Sequence, residues 1–266
     1  MTPTVENSLI TLAAAGDVDL IWTLLTTIQE PLSEDTIQHL LTAAAKGSHL
    51  NIITFILAQY PSISLEEEVI RAAVYTGSIP IFKALLAQDP RVVNMRFDKR
   101  GTPLIVACTS RQPFEYLKFL LDAGADPNQD PECAVFPLAI VSAFYNDPAV
   151  IDLLLQHGAR LEDSGALPTA ARFGNEPMLR RLLDRGTQLD SIHASPLHAA
   201  TRASHGGVKA GHVSVVKTLL QHGADADVAD SSGATAVELA NQLRSQGKDI
   251  LNMMDVLTGD QGAINT

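Results

Sequence analysis

The sequence predicts an all-α solenoid of stacked helix–turn–helix units, forming a single repeat domain over residues 1–257 with a frayed tail at 258–266. Three observations predict it. A short motif recurs with a period near 33 residues: GTPLIVA (101–107), FPLAIVS (136–142), SPLHAAT (195–201) and ATAVELA (234–240). A Leu-rich partner segment follows it, as YLKFLLDAGADPN (116–128), VIDLLLQHGARLE (150–162), LRRLLDRGTQLD (179–190) and VVKTLLQHGADAD (215–227). Small and large apolar residues also alternate in blocks, with Ala pairs in the first segment and Leu rows in the second.

Taken in chain order, the units begin degenerate and become clearer. LAAAGDVDLIWTLL (12–25), LTAAAKGSHLNIITFIL (41–57) and IRAAVYTGSIPIFKALL (70–86) keep the skeleton of Ala-rich helix, Gly turn and Leu-rich helix, and make residues 1–97 the degenerate part. Residues 98–230 hold the clearer units, including one with the weak start GALPTAA (165–171), and residues 231–257 form a C-terminal cap. Eight units result. Ala43-Ala44, Ala72-Ala73 and Ala170-Ala171 keep the first helix thin enough for close packing, while rows such as Leu153-Leu154-Leu155 fill the space between units. Gly124, Gly158, Gly186 and Gly223 stop the Leu-rich helices, where a left-handed residue ends a helix at least cost. Trp22 falls in the second helix of the first unit and is expected to pack in the core or against the end cap.

SPLHAA carries the T-P-L-H-x-A signature, and the chain resembles the ankyrin-repeat family over nearly its whole length. The resemblance implies a β-turn and two antiparallel helices per unit. Some β-hairpin fingers are expected to be short or missing, because only SIHA separates Leu189-Asp190 from Ser195 and the stretch after Leu161-Glu162 is likewise clipped. It also implies that His198 is the signature histidine and His212 the turn histidine of one repeat, each bonding locally. About eight residues are inserted between them, predicting an extended first-helix end and a Gly-hinged surface loop over 203–210.

Composition narrows the function. Two cysteines, Cys108 and Cys133, are too few for a disulfide framework and suit a reduced compartment. The start MTPTVENSLI lacks a basic, then apolar, leader, and no run approaches the roughly 18 apolar residues of a membrane span. The expectation is a cytoplasmic chain, the nucleus being the other compartment considered, with no membrane partner. A net charge of −11 argues against nucleic acid, which needs Lys and Arg to neutralise phosphates. His198, His205 and His212 recur every seven residues, but seven helical residues span about 10.5 Å, too far for ligands that each sit about 2.1 Å from one zinc. No metal and no cofactor are expected.

By the family resemblance, a partner would bind the concave face made by first-helix ends and fingers. The candidate binding residues there are Tyr75, Thr109, Phe144, Tyr145, Arg172, Phe173 and Arg202 on helix ends, Arg96, Phe97, Arg100, Phe136 and His193 on fingers, and His205 in the insertion. Aromatic and Arg side chains dominate binding hot spots. Phe136, Phe144 or Phe173 could equally seal a gap between repeats, and the basic tip Arg96-Lys99-Arg100 is expected to be solvated. His157 and His222, just before the stop glycines, suit helix C-termini.

Two readings from different classes follow. The leading one is a non-enzymatic module that binds a protein partner through its concave groove. HExxH, GxSxG, P-loop and GxGxxG motifs are absent from the sequence. The other is an enzyme doing acid–base work on a small apolar molecule, a dehydratase, isomerase or cyclase, in a pocket between repeats four and seven. His193, Tyr145 and Arg172 would then serve as base, acid and anion holder.

Overall fold

The computed structural model describes residues 3–28, 31–129, 136–187, 189, 195–203, 209–246 and 251–258. The chain divides into two compact units, Met1–Ala134 and Val135–Thr266. The first holds four helix pairs: α1 (Pro3–Ala15) with α2 (Val18–Thr27), α3 (Glu34–Lys46) with α4 (Leu50–Gln59), α5 (Glu67–Thr76) with α6 (Ile79–Gln88), and α7 (Pro103–Thr109) with α8 (Phe114–Asp122). A 3₁₀ turn, Pro90–Asn94, precedes α7. The second holds another four: α9 (Pro137–Phe144) with α10 (Ala149–Gln156), α11 (Ala166–Phe173) with α12 (Glu176–Asp184), α13 (Pro196–Ala203) with α14 (Lys209–Gln221), and α15 (Ala236–Ser245) with α16 (Leu251–Leu257). Among the described residues, eight pairs match the eight units of the sequence.

Local chemistry explains where these helices start and stop. The motif prolines Pro103, Pro137 and Pro196 open α7, α9 and α13, a position where a missing N–H costs nothing and φ is already helical. Ser33 caps α3 through the Thr36 N–H, and Thr235 and Glu238 close a reciprocal capping box on α15. The four stop glycines all have positive φ, between 83° and 94°. His157 and His222 hydrogen-bond through Nδ1 to the carbonyls of Leu153 (2.9 Å) and Thr218 (2.7 Å), which ties them to helix ends as expected.

Each unit is two layers of helices. First helices pack on first helices, α1 on α3, α3 on α5 and α5 on α7 in one unit, and α9 on α11, α11 on α13 and α13 on α15 in the other. Their facing residues are small: Ala44, Ala73, Ala107, Ala170, Ala171 and Ala200 are fully buried. Second helices supply the bulk, including Ile52, Ile56, Phe82, Leu120, Leu154 and Leu182, also fully buried. No single pair could bury its own Leu row, so each pair depends on its neighbours.

Three expectations need correction. Trp22 is 56% exposed, with Leu20 beside it at 49%, because α2 turns only Ile21 fully inward. Phe97 is buried at 4%: its N–H donates to the Gly101 carbonyl at 2.7 Å, and this antiparallel bridge folds the ring under the finger rather than out of it. That bridge is the sole β pairing among the described residues. His212 sits within α14, which starts at Lys209 and so absorbs the end of the insertion into a longer second helix. The rest of the insertion, residues 204–208, lies outside the described residues.

The second layer of Val135–Thr266 is tied by a charged cluster. Asp152 on α10 accepts from Arg181 on α12 through Nε, 3.0 Å to each carboxylate oxygen, and from Arg185 at 2.6 Å. Bonding to Arg181 holds the Asp152 carboxyl below its ordinary range, and Arg185 adds to the effect. With the folded value depressed, the stability this group contributes is complete above about pH 4 and drains as pH falls through the folded value. Asp152→Asn is expected to cost roughly 1 kcal/mol at pH 7. The difference in melting temperature between wild type and variant should shrink towards zero from pH 6 to pH 2; a constant difference would mean the cluster acts by packing alone.

Candidate functional site

The candidate site lies where two first helices of Val135–Thr266 end. At Phe144 α9 stops because Tyr145 turns extended, φ −102° and ψ 151°, while its N–H still bonds the Val141 carbonyl. At Phe173 α11 stops because Gly174 is left-handed, φ 68°. The two rings meet edge to face, 5.3 Å between centroids, and remain exposed at 36% and 46%. The Arg172 guanidinium carbon stands 5.9 Å from the centre of the Phe173 ring.

Two buried polar side chains set this edge in place. Asn175 Nδ2 donates to the Tyr145 carbonyl at 2.6 Å, and His212 Nε2 donates to the Arg172 carbonyl at 2.8 Å. Each reaches back from the turn or helix start of one repeat to the helix end of the previous repeat. The same arrangement occurs in Met1–Ala134, where His49 bonds the Ala14 carbonyl (3.0 Å) and Gln112 Nε2 bonds those of Val74 (2.9 Å) and Tyr75 (3.0 Å). The expectation that His198 and His212 bond locally is therefore wrong. His198 Nε2 reaches the Ala234 carbonyl, 36 residues on and just before α15, and His212 spans 40 residues to the Arg172 carbonyl near the end of α11, so both rings bridge neighbouring repeats. Sequence reasoning missed Gln112 and Asn175. The signal was present: each is an amide directly after a left-handed residue, Arg111 (φ 56°) and Gly174, the place His49 takes after Ser48 (φ 60°).

The other candidates scatter. Tyr75 is exposed at 51%, its backbone carbonyl held by Gln112. Thr109 is exposed, but its hydroxyl donates to Ile105 in its own helix at 2.9 Å. Arg96, Lys99 and Arg100 are exposed on the finger. Arg202 is engaged in an ion pair with Asp230, whose carboxyl is lowered to about 2, chiefly by the Ser232 hydroxyl, then by the N–H groups of Ser232 and Ala234 and the Arg202 charge. Phe136 is half-buried and lines an open cavity of about 400 Å³ with Arg160, Leu161 and Ser164. Neither Tyr145 nor Arg172 is among the described residues lining that cavity. His193 and His205 lie outside the described residues. Among the described residues no three His, Cys, Asp or Glu side chains cluster in a way that could hold a metal ion, and no helix is long and apolar enough to cross a membrane.

One groove was not foreseen. In Met1–Ala134 a cavity of about 840 Å³ runs along α1 and α3, with Glu6, Ile10, Thr42, Lys46, Glu66 and Glu68 among its walls. Glu6 accepts from the Thr36 hydroxyl at 3.0 Å, so part of its charge is already used internally.

Comparison with known proteins agrees with this architecture. The family described as ankyrin repeats (3 copies) matches residues 40–130 and 138–230. YahD of Escherichia coli (strain K12), named for its ankyrin repeats, is 26% identical over 154 residues, covering 54% of this chain and 75% of YahD. The ankyrin repeat and KH domain-containing protein mask-1 of Caenorhabditis elegans is 27% identical over 203 residues, 68% of this chain but 7% of that protein. Among solved structures, the ankyrin repeat protein EF0377 superposes with a TM-score of 0.59 at 25% identity, covering 73% of this chain and 98% of its own. The human ASB11 ankyrin repeat domain superposes over 100% of both chains with a TM-score of 0.54 at 19% identity, which shows the fold alone. With matches over both stretches of repeats, the chain belongs to the ankyrin repeat family.

Proposed function

We propose that this chain is a non-enzymatic protein-binding module whose partner docks on the exposed helix ends around Phe144, Tyr145, Arg172 and Phe173. The observation that carries the reading is the Phe144–Phe173 pair. Two aromatic rings packed on each other in the open, 5.3 Å apart, present apolar area already fixed in shape, so a partner covers it without ordering loose side chains. The backbone beneath is held by Asn175 and His212. Family membership supports the reading, since repeat arrays of this kind bind other proteins over extended surfaces.

Selection of a random twelve-residue peptide library displayed on phage against the full chain tests it. Phe173→Ser is expected to weaken the enriched peptides at least tenfold, as hot-spot truncation does. Its melting temperature should stay within about 2 °C of wild type, as for most exposed substitutions. Enriched peptides that ignore Phe173→Ser would place binding elsewhere and sink this assignment.

A further inference from the structure

Arginines in Val135–Thr266 are mostly committed. Arg180 pairs with Glu176, Arg181 and Arg185 with Asp152, and Arg202 with Asp230. Arg172 differs. Among the described residues its guanidinium makes no ion pair and no side-chain hydrogen bond, and it rests instead beside the face of Phe173. Its backbone is held by His212, so the side chain springs from a fixed point next to the aromatic pair.

Resting on the docking reading above, we propose that this site selects partner segments in which an acidic residue stands close to a bulky apolar one. A guanidinium laid on a ring keeps its N–H fork directed outward, and that fork matches a carboxylate with two parallel hydrogen bonds. The apolar neighbour covers Phe144 and Phe173 and removes water from around the pair, which strengthens the contact. The chain's net charge of −11 works against acidic partners at long range. Selectivity therefore comes from the contact itself, and salt, which screens the repulsion over about 10 Å at 0.1 M, should leave binding of such peptides unchanged or tighter.

The same phage library reads this preference separately from docking. Enriched peptides are expected to carry Asp or Glu within three residues of Leu, Phe, Ile or Trp. Their affinity should fall about fivefold on Arg172→Gln, and selection against Arg172→Glu should shift the enriched charge to Lys or Arg. Peptides that require Phe173 but show no acidic enrichment and ignore Arg172→Gln would overturn the acidic preference while leaving the docking surface intact. Peptides that ignore Phe173→Ser, or a library yielding no binders, would overturn the docking reading and this proposal with it. Arg172→Gln keeps a polar side chain at an exposed position while removing the guanidinium, so a melt matching wild type certifies that the change in affinity is not unfolding.

Discussion

Gly77→Val is expected to destabilise the protein by about 3 kcal/mol, because two separate costs meet at one position. Gly77 ends α5 at φ 65°, a conformation that a β-branched residue adopts only under strain. A Cβ there would also stand 2.3 Å from Oε1 of Gln112. Gln112 has nowhere to retreat: it is buried at 8%, and its amide nitrogen bridges the carbonyls of Val74 and Tyr75. Moving it strands buried polar groups. The expected fall in melting temperature is roughly 6 to 12 °C for a chain of this size. The diagnostic measurement is a double-mutant cycle of Gly77→Ala with Gln112→Ala. If the steric account holds, the glycine substitution costs less, by more than about 0.5 kcal/mol, once the Gln112 side chain is gone. Additive costs would show that φ strain acts alone.

That contact also marks how far the sequence could be read. Periodicity exposed the eight helix pairs and the glycine stops, since each depends on residues within one repeat. What escaped depends on the next repeat. Gln112 and Asn175 look like ordinary turn residues until the preceding helix end is brought beside them, and His198 and His212 looked local for the same reason. Phe97 looked exposed because a finger is normally polar at its tip, yet a five-residue bridge is too tight to carry a phenyl ring outward. Trp22 looked buried because its helix is Leu-rich, but α2 turns Ile21 and not Trp22 fully inward. At the candidate site, Phe144, Phe173 and Arg172 were legible as exposed helix-end residues, whereas the pairing of the two rings depends on the register of α9 against α11.

Tyr116→Ala tests the core on which the first unit depends, and its expected cost is about 4 kcal/mol. Tyr116 on α8 is fully buried and meets Phe82 of α6 edge to face at 6.3 Å, with Phe119 completing the cluster at 6.1 Å from Phe82 and 6.2 Å from Tyr116. Three rings from two neighbouring second helices fill one space, and with Phe82 and Tyr116 both fully buried in a close-packed core the surroundings relax only partly into the hole. The hydroxyl contributes little. Its contact with the Ala73 carbonyl is 3.5 Å, at the limit of a hydrogen bond, and burial pushes its pKa above the usual phenol range, so it stays neutral. Tyr116→Phe should therefore cost less than about 1 kcal/mol, and the gap between the two variants reports ring packing alone. Urea titration gives both values, and hydrogen exchange locates the damage: protection should fall most in α5 to α8 and least in α1 and α2, as nearest-neighbour coupling of repeats requires. If Tyr116→Phe were as damaging as Tyr116→Ala, the hydroxyl and not the ring cluster would be the tie between these repeats.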